Sequence, residues 1–330
     1  MAVSPTLSVL MTVYNGGPYL RAAIDSILKQ TYHDFHFLII DDASTDDSRG
    51  IVDSYHDDRI ELLCLEKNVG QTAALNIGLH HSSQTWIARM DADDYSAPTR
   101  FEEQMRVLAA DESIMVLGTH AWTFREDPEV IDGEFITPLG YVEIKRQLLR
   151  GSPLIHSSMI AKRSALLEVG AYDDRYPHSA DIDLYDRLMD KHKAANLPLK
   201  LYGIRRHGGQ GTRTKDAQNE TVEIFCRRLE SDRYSPEEQA VIKASLARFH
   251  VVLSHQYGGE GNLVSMLRYL WRALRYSPKT LAWYFPLIYV GYMLPERIRA
   301  VLKRNLARVR SVVALGPRSR SEPGGASRTR

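Results

Sequence analysis

The stretch Trp86-Ile87-Ala88-Arg89-Met90-Asp91-Ala92-Asp93-Asp94 decides the fold of this chain, because an apolar run here ends in three carboxylates. In an open α/β sheet, ligands bind beyond the carboxyl ends of the strands. Carboxylates gathered at that edge repel one another unless a cation or a proton offsets their charge. Oxygen ligands suit Mg²⁺ or Mn²⁺, ions that proteins commonly share with substrate phosphates. For this motif taken alone, the alternative is a solvated acidic turn.

Strands and helices alternate on both sides of this stretch. Apolar runs predict five strands, at Leu7–Tyr14, Phe35–Ile40, Arg59–Leu65, Thr85–Met90 and Ile114–Gly118. Apolar residues at helical spacing predict three helices. The first begins at Pro18, the second spans Gln71–His81, and the third runs from Pro98 through Ala110. This β-α-β-α order predicts a mostly parallel sheet with right-handed crossovers.

Polar residues follow three of these strands, at Tyr14-Asn15, Asp41-Asp42 and Asp91-Ala92-Asp93. A carboxylate at the mouth of such a sheet can accept hydrogen bonds from a nucleobase or a ribose, which is our interpretation of Asp42. Asp46 is expected instead to cap the following helix. The sequence contains no G-x-G-x-x-G after a strand and no G-x-x-x-x-G-K-[ST], which disfavours dinucleotide and P-loop sites.

The first half contains four motifs, namely Tyr14-Asn15, Asp41–Asp46, Asn68-Val69-Gly70 with Ala74–Gly78, and Ala88–Asp94. Together they resemble glycosyltransferase family 2, and the resemblance extends over residues 7–210. The resemblance implies a GT-A fold, a nucleotide-diphospho-sugar donor and inversion at the anomeric carbon. It also implies that Asp42 contacts the base, Asp91 the nucleoside, and Asp93 a Mg²⁺ or Mn²⁺ ion on the diphosphate. The other nucleotide-sugar residues that the motifs imply are Tyr14, Asn15, Asn68, Gly70, Arg89 and Ala92.

The same resemblance points to a general base in Ala180-Asp181-Ile182-Asp183-Leu184. The family usually has Glu-Asp before x-Asp-Leu, and its second carboxylate is the base. Here Ala180 replaces the glutamate, which bears on how the base is oriented, and Asp181 keeps the base position. The alternative is that Asp181 only caps a helix over Ile182–Lys191.

Elements nearer the acceptor side are less regular in sequence. His120–Pro138 is expected to form a hairpin or loop, Tyr141–Arg150 a helix, and Leu199–Ile204 the last strand. His156–Ile160 resembles the family's strand before a helix, here Arg163–Val169. By the same resemblance His207 is a metal or diphosphate ligand, although a lone histidine can equally be structural. Arg205 and Arg206 either pair with phosphate or are solvated.

From Asp216 onward the composition changes: the pattern predicts helices only, and a basic tail follows them. Helices are predicted over Asp216–Asp232, Pro236–Gln256 and Asn262–Tyr276. The apolar, aromatic Leu281–Pro295 is short for a membrane span, and six lysines and arginines follow it at 297–310. This pattern favours a helix in the interface of an anionic leaflet, with a helical cap on the catalytic domain as the alternative. We expect a catalytic domain at 1–215, a helical extension at 216–315 and a disordered tail at 316–330.

The composition limits the partners and the compartment. A net charge of +1 gives no overall field that would attract nucleic acid. Cys64 and Cys226 lack the spacing of a zinc or redox site, so we expect reduced thiols in a cytosolic protein. Ala2–Thr6 has no basic region typical of a signal peptide. We therefore expect a cytoplasmic protein that is peripheral at the inner face of the membrane.

The expected reaction is transfer of a sugar from a UDP-sugar to a hydroxyl of a glycan or lipid-linked acceptor. Two other functions stay open at the level of the sequence. A nucleotidyltransferase would share the acidic sheet mouth, but Asn15-Gly16-Gly17 lacks the lysine of its phosphate loop. A nucleotide- or glycan-binding module without turnover is favoured only by Ala180.

Overall fold

A computed structural model describes residues 6–208 and 214–285 of the chain. The strands are β1 (Leu7–Val13), β2 (Phe35–Asp41), β3 (Ile60–Cys64), β4 (Trp86–Asp91), β5 (Tyr95–Ser96), β6 (Ile114–Phe124), β7 (Gly133–Phe135), β8 (Ile160–Lys162) and β9 (Lys193–Arg205). The helices are α1 (Gly17–Leu28), α2 (Ser48–Asp53), α3 (Gln71–His81), α4 (Arg100–Ala110), α5 (Tyr141–Leu148), α6 (Arg163–Glu168), α7 (Ala180–Lys191), α8 (Lys215–Glu230), α9 (Pro236–Gly259), α10 (Leu263–Tyr276) and α11 (Pro278–Phe285).

The strands form one sheet in the order β3-β2-β1-β4-β8-β6-β9-β5, and β7 pairs with β6. The first four strands of this order are parallel, as are β6 and β9. The short strands β5, β7 and β8 pair antiparallel with their neighbours. The expected α/β sheet, parallel over most of its paired length and flanked by helices, is therefore confirmed.

Helices cover both faces of the parallel strands. All seven residues of β1 are buried; Val9 and Met11 pack in the cluster that holds the α1 side chains, whereas Leu10 packs with α3. Burial on two faces explains why these strands are continuous apolar runs. Because the strands are parallel and in register, with Thr12 opposite Asp91 and Val13 opposite Asp41, their polar carboxyl ends meet at one edge.

Two expectations about the second half need correction. His156–Ser158 forms a 3₁₀ turn instead of a strand, and the strand begins only at Ile160. The last two long strands extend beyond the predicted ranges: β6 continues to Phe124, where it forms the predicted hairpin with β7, and β9 starts at Lys193. Each long strand completes the ladder of the other, so their length depends on pairing more than on local pattern.

Contacts divide the chain into two compact units, residues 1–249 and 250–330. Helix α8, which we expected to belong to a separate extension, lies in the first unit together with the sheet. None of the described helices is long and apolar enough to cross a membrane. The predicted aromatic and basic segments beyond Phe285, and the predicted disordered tail, lie outside the described residues.

Candidate active site

A cavity of about 450 Å³ opens at the carboxyl edge of β1, β2 and β4. Seven of the predicted site residues line it, namely Tyr14, Asn15, Asp42, Asp91, Ala92, Asp93 and His207. Gln71 and Tyr19 also line it, and the sequence did not single them out. Four predicted residues, Asn68, Gly70, Arg89 and Asp181, do not line this cavity, and their contacts assign them other positions.

The loops after β1 and β2 are tied together by side chains. Asn15 has a left-handed backbone with φ 53°, and its Oδ1 accepts a hydrogen bond from the Thr45 amide at 2.8 Å. The Asp46 carboxylate accepts from the Gly17 amide at the start of α1 and from the Ser48 amide at the start of α2, both at 3.0 Å. Asp46 therefore ties the first residues of α1 and α2 together, but it is not the predicted N-cap, because Gly16 and Asp47 occupy the N-cap positions of the two helices.

Asp42 holds the segment that contains Asn68 and Gly70. Its two carboxylate oxygens accept from the amides of Val69 at 2.7 Å and Gly70 at 2.9 Å. Gly70 has φ +85°, a conformation in which other residues are strained. Each carboxylate oxygen can accept a second hydrogen bond, so Asp42 can bind a ligand while it anchors this loop. Asn68 itself is exposed.

Arg89 lies beneath the cavity and not on its wall. Its guanidinium is 1% exposed and donates to Asp91 Oδ1 at 2.6 Å and to the Met90 carbonyl. On the cavity side, Gln71 Nε2 is 3.5 Å from the same Asp91 oxygen. The buried cation fixes the rotamer of Asp91 and offsets its charge, so the effect of Arg89 on a ligand is indirect.

Asp93 and His207 meet on the wall of the cavity, with Asp93 Oδ2 2.7 Å from His207 Nε2. Burial and the Asp91 carboxylate raise the pKa of Asp93, while His207 opposes that shift. The next carboxyl, Asp94, is buried and accepts from the Arg205 amide at 2.9 Å. Burial, followed by the charges of Asp91 and Asp93, raises its pKa well above the usual range. Three carboxyl groups are therefore crowded here, and a bound cation would offset their mutual repulsion.

Asp93 and His207 have suitable ligand atoms for a divalent metal, but two side chains are too few to hold the ion by themselves. Within residues 6–208 and 214–285, no group of three acidic, histidine or cysteine side chains could hold an ion by itself. Asp93 and His207 supply oxygen and imidazole ligands, which suit Mn²⁺, and Mg²⁺ through the carboxylate. The remaining positions would be taken by diphosphate oxygens and water, as is common for ions that proteins share with nucleotides.

Arg205 and Arg206 have different environments. The Arg205 guanidinium donates to the carbonyls of Asp93, Arg125 and Glu126 at 2.8–3.0 Å, which accounts for its burial. Arg206 is more exposed and lies 3.7 Å from the Asp132 carboxylate. Arg205 is thus a structural brace for the loop that carries Asp93, and of the two only Arg206 presents an exposed guanidinium.

Asp181 lies in the first turn of α7, and the helix begins one residue earlier at Ala180. The N-cap residue is Ser179, so the alternative role of Asp181 as the cap is wrong. Burial raises the pKa of Asp181 and the charge of Asp91 adds to the rise, while the Ile182 amide and Ser152 hydroxyl oppose it. A carboxylate with a raised pKa is a better proton acceptor near neutral pH than an ordinary aspartate.

Glu220 on α8 fastens the start of α7 and was not anticipated from the sequence. Its Oε2 accepts from the amides of His178 and Ser179, both at 2.8 Å. The Ser179 hydroxyl donates to the Ala217 carbonyl at 2.9 Å. Farther along the two helices, Arg228 pairs with buried Asp186 at 3.1 Å. Helix α8 therefore positions the turn that carries Asp181.

A half-buried histidine, His156, lies near Arg89. His156 Nε2 is 2.8 Å from the Tyr172 hydroxyl, and the two rings pack edge to face. Burial, together with the Arg89 charge, lowers the pKa of His156 to about 3. A neutral imidazole adds no second positive charge near the buried Arg89 guanidinium, so Arg89 keeps its ion pair with Asp91 without a competing cation.

Comparisons with known proteins find glycosyltransferases. The sequence model described as Glycosyl transferase family 2 matches residues 8–170. "Putative glycosyltransferase EpsE" of Bacillus subtilis (strain 168) is 33% identical over 211 residues, which are 62% of this chain and 74% of that protein. An "Uncharacterized glycosyltransferase" of Haemophilus influenzae is 29% identical over 234 residues, 68% of this chain and 72% of that one.

Two solved structures have a similar fold. S. aureus TarS 1-349 has a TM-score of 0.63 at 16% identity, over 94% of this chain and 88% of that chain. The mannosyltransferase PcManGT from Pyrobaculum calidifontis, in complex with GDP-Man and Mn²⁺, has a TM-score of 0.59 at 17% identity, over 94% and 87% of the two chains. At these identities the likeness concerns the fold alone.

Proposed function

This chain belongs to glycosyl transferase family 2, and from that premise we propose that it is an inverting, metal-dependent enzyme. Its donor is a nucleotide-diphospho-sugar, and its acceptor is a hydroxyl of a glycan or a lipid-linked glycan. The observation that carries the proposal is the contact of Asp93 with His207 on the wall of a cavity that Asp42 and Asp91 also line. The family match gives no support to the nucleotidyltransferase alternative.

Different residues of the cavity bind different parts of the donor. Asp42 and Asp91 bind the nucleoside, because their carboxylates accept hydrogen bonds from a base N–H or from ribose hydroxyls. We propose UDP as the nucleotide, since the imide N–H of uracil suits Asp42. The diphosphate lies toward Asp93 and His207, which would hold Mg²⁺ or Mn²⁺. Such an ion would offset the charge that develops on the leaving diphosphate.

Asp181 is the general base for the acceptor. As the acceptor oxygen bonds to the anomeric carbon, its proton passes to the Asp181 carboxylate and the bond to the nucleoside diphosphate breaks. One displacement from the face opposite the leaving group inverts the anomeric configuration. The raised pKa of Asp181 supports this role, and so does the connection to α8 that holds its turn.

We place this reaction at the cytoplasmic face of the membrane, with the chain bound peripherally. The distribution of charge supports this position, because fourteen lysines and arginines and only two glutamates follow Glu260. Anionic lipids attract such a segment.

Release of nucleoside diphosphate from a panel of UDP-, GDP- and dTDP-sugars, with Mn²⁺ or Mg²⁺ and without acceptor, tests the catalytic proposal. We expect slow hydrolysis of one donor that depends on the metal. A chain that binds a donor without any turnover, with or without acceptor glycans, would be a binding module. Turnover that is unchanged in excess chelator would exclude the metal.

A further inference from the structure

Helix α10 carries a stripe of exposed apolar side chains in the second unit. Leu263, Val264, Leu267, Trp271 and Leu274 are between 39% and 70% exposed. At 3.6 residues per turn these five positions fall within an arc of about 100°. Single exposed apolar residues are ordinary on protein surfaces, whereas a contiguous stripe of this kind marks an interaction site.

The opposite side of α10 is already occupied by its own unit. Ala273 is fully buried. Tyr269 stacks on Tyr257 with ring centroids 5.3 Å apart, and Tyr276 stacks on His250 at 5.4 Å. The helix is therefore held by one face, and the apolar stripe lies on another.

Positive charge borders one edge of the stripe. Arg268, Arg272 and Arg275 are exposed and follow the stripe on the next arc of the helix. No aspartate or glutamate occurs between Glu260 and Glu296, so no acidic residue of this segment offsets them. A second copy of the chain on this face would bring two sets of arginines together, which like-charge repulsion disfavours.

We propose that α10 lies in the interface of an anionic lipid bilayer, with the stripe of Leu263, Val264, Leu267, Trp271 and Leu274 buried at the boundary between the headgroups and the acyl chains. The three arginines then contact lipid phosphates, with which guanidinium groups pair well. Tryptophan favours the depth of the headgroups. This inference rests on the proposed function only in its reason for membrane contact, which is access to a lipid-linked acceptor.

The experiment measures binding of the full chain to sonicated vesicles of phosphatidylcholine, with and without phosphatidylglycerol, by sedimentation at low and high salt. We compare wild type with Leu267→Gln/Trp271→Gln, with Arg268→Gln/Arg272→Gln/Arg275→Gln, and with the control Val130→Gln/Ile131→Gln. The control pair is also exposed and apolar, at 65% and 52%, but lies in the loop before β7.

We expect the Leu267/Trp271 variant to bind anionic vesicles at least about tenfold more weakly at every salt concentration, because it loses buried apolar area. The triple arginine variant should lose the salt-sensitive part of the binding, and the control should bind like wild type. At lipid concentrations that saturate binding, quenching of tryptophan fluorescence by brominated acyl chains should be lower in the Leu267/Trp271 variant than in the other three proteins. Donor hydrolysis should stay unchanged in all four proteins, which also shows that the first unit is folded.

Wild-type affinity in the Leu267/Trp271 variant would overturn the inference, since the bilayer contact would lie elsewhere. A wild-type dimer that ignores vesicles, and that the same variant converts to a monomer, would overturn it in favour of a second copy. Vesicle binding without hydrolysis of any donor would contradict the proposed function and leave this inference standing.

Discussion

His207 Nε2 lies 2.7 Å from Asp93 Oδ2, although the two residues are 114 positions apart in the chain. Strand β9 brings the histidine to the carboxyl edge where β4 delivers the carboxylate. One acidic and one imidazole side chain on the wall of a cavity form half a metal site, which a bound diphosphate can complete.

Asp93→Asn should lower sugar transfer by about 10²-fold or more, because the charge that holds the ion is lost. It should also abolish the gain in UDP affinity on addition of Mn²⁺, measured by calorimetry. The Asp93 side chain is 34% exposed, so the fold should persist. Asp58→Asn, at an exposed aspartate that does not line the cavity, is the control and should behave like wild type. Manganese-dependent UDP binding in the Asp93 variant would contradict the assignment.

Asp181→Asn should lower the transfer rate by about 10²-fold or more and leave donor affinity unchanged, because a general base acts in the transition state. In wild type, the acid limb of the rate profile should lie above the pKa of an ordinary aspartate, since burial raises the pKa of Asp181. A group with a raised folded pKa destabilises the fold once it is ionised. The Asn variant should therefore have a higher Tm than wild type at neutral pH. Wild-type turnover in this variant would place the base elsewhere.

Glu220→Ala should lower kcat by about tenfold or more without changing the donor KM, because small displacements of a catalytic group are costly. Glu220→Gln keeps one carbonyl oxygen for the His178 and Ser179 amides, and it should restore most of kcat. Glu223→Ala is the matched control on the same helix, since it removes only a hydrogen bond from the Tyr176 hydroxyl. Equal activity of the Ala and Gln variants at Glu220 would show that the bond does not position Asp181.

Acid stability should depend on His156. Its folded pKa is lowered to about 3, so between that value and the ordinary pKa of about 6.5 the unfolded chain binds the proton and the folded chain does not. The wild-type free energy of unfolding should therefore fall as pH decreases below about 6.5. His156→Gln should reduce this slope in urea titrations between pH 7 and pH 5, two conditions chosen at roughly the limits of histidine titration. His178→Gln, at an exposed histidine, is the control. Equal slopes for wild type and the His156 variant would be inconsistent with a neutral His156.

Truncation after Phe249 should leave a folded unit that hydrolyses the donor. The first half of α9 belongs to this unit, because the Ser245 hydroxyl donates to the Leu149 carbonyl at 3.0 Å and Phe249 packs on Phe225 at 5.0 Å. Truncation after Glu230 removes buried Ile242 and Leu246 as well, and it should lower Tm strongly. Thermal unfolding of the two truncated proteins, followed by circular dichroism, measures the difference in Tm. Equal Tm values would show that α9 contributes nothing to the first unit.

The sequence by itself determined the elements whose signals are local. Apolar runs and helical spacing located β1 to β4 and α3 within a residue or so of their observed ends, because burial on a sheet imposes a pattern on consecutive residues. Parallel order then implied that Asn15, Asp42 and Asp91–Asp93 share one edge, and all of them line the cavity. The family resemblance suggested His207 as a metal or diphosphate ligand but left a structural role open.

Only the tertiary structure decided how these groups are held. Asp42 anchors residues 69–70, Arg89 lies under the site and not in it, and Arg205 braces a loop where the sequence left phosphate binding open. Glu220 supports the turn that carries Asp181 by accepting a hydrogen bond from Ser179, which lies 41 residues earlier in the chain. No local pattern encodes such bonds. They form between segments that packing brings together, and a buried polar group takes whichever partner packing places within hydrogen-bonding distance.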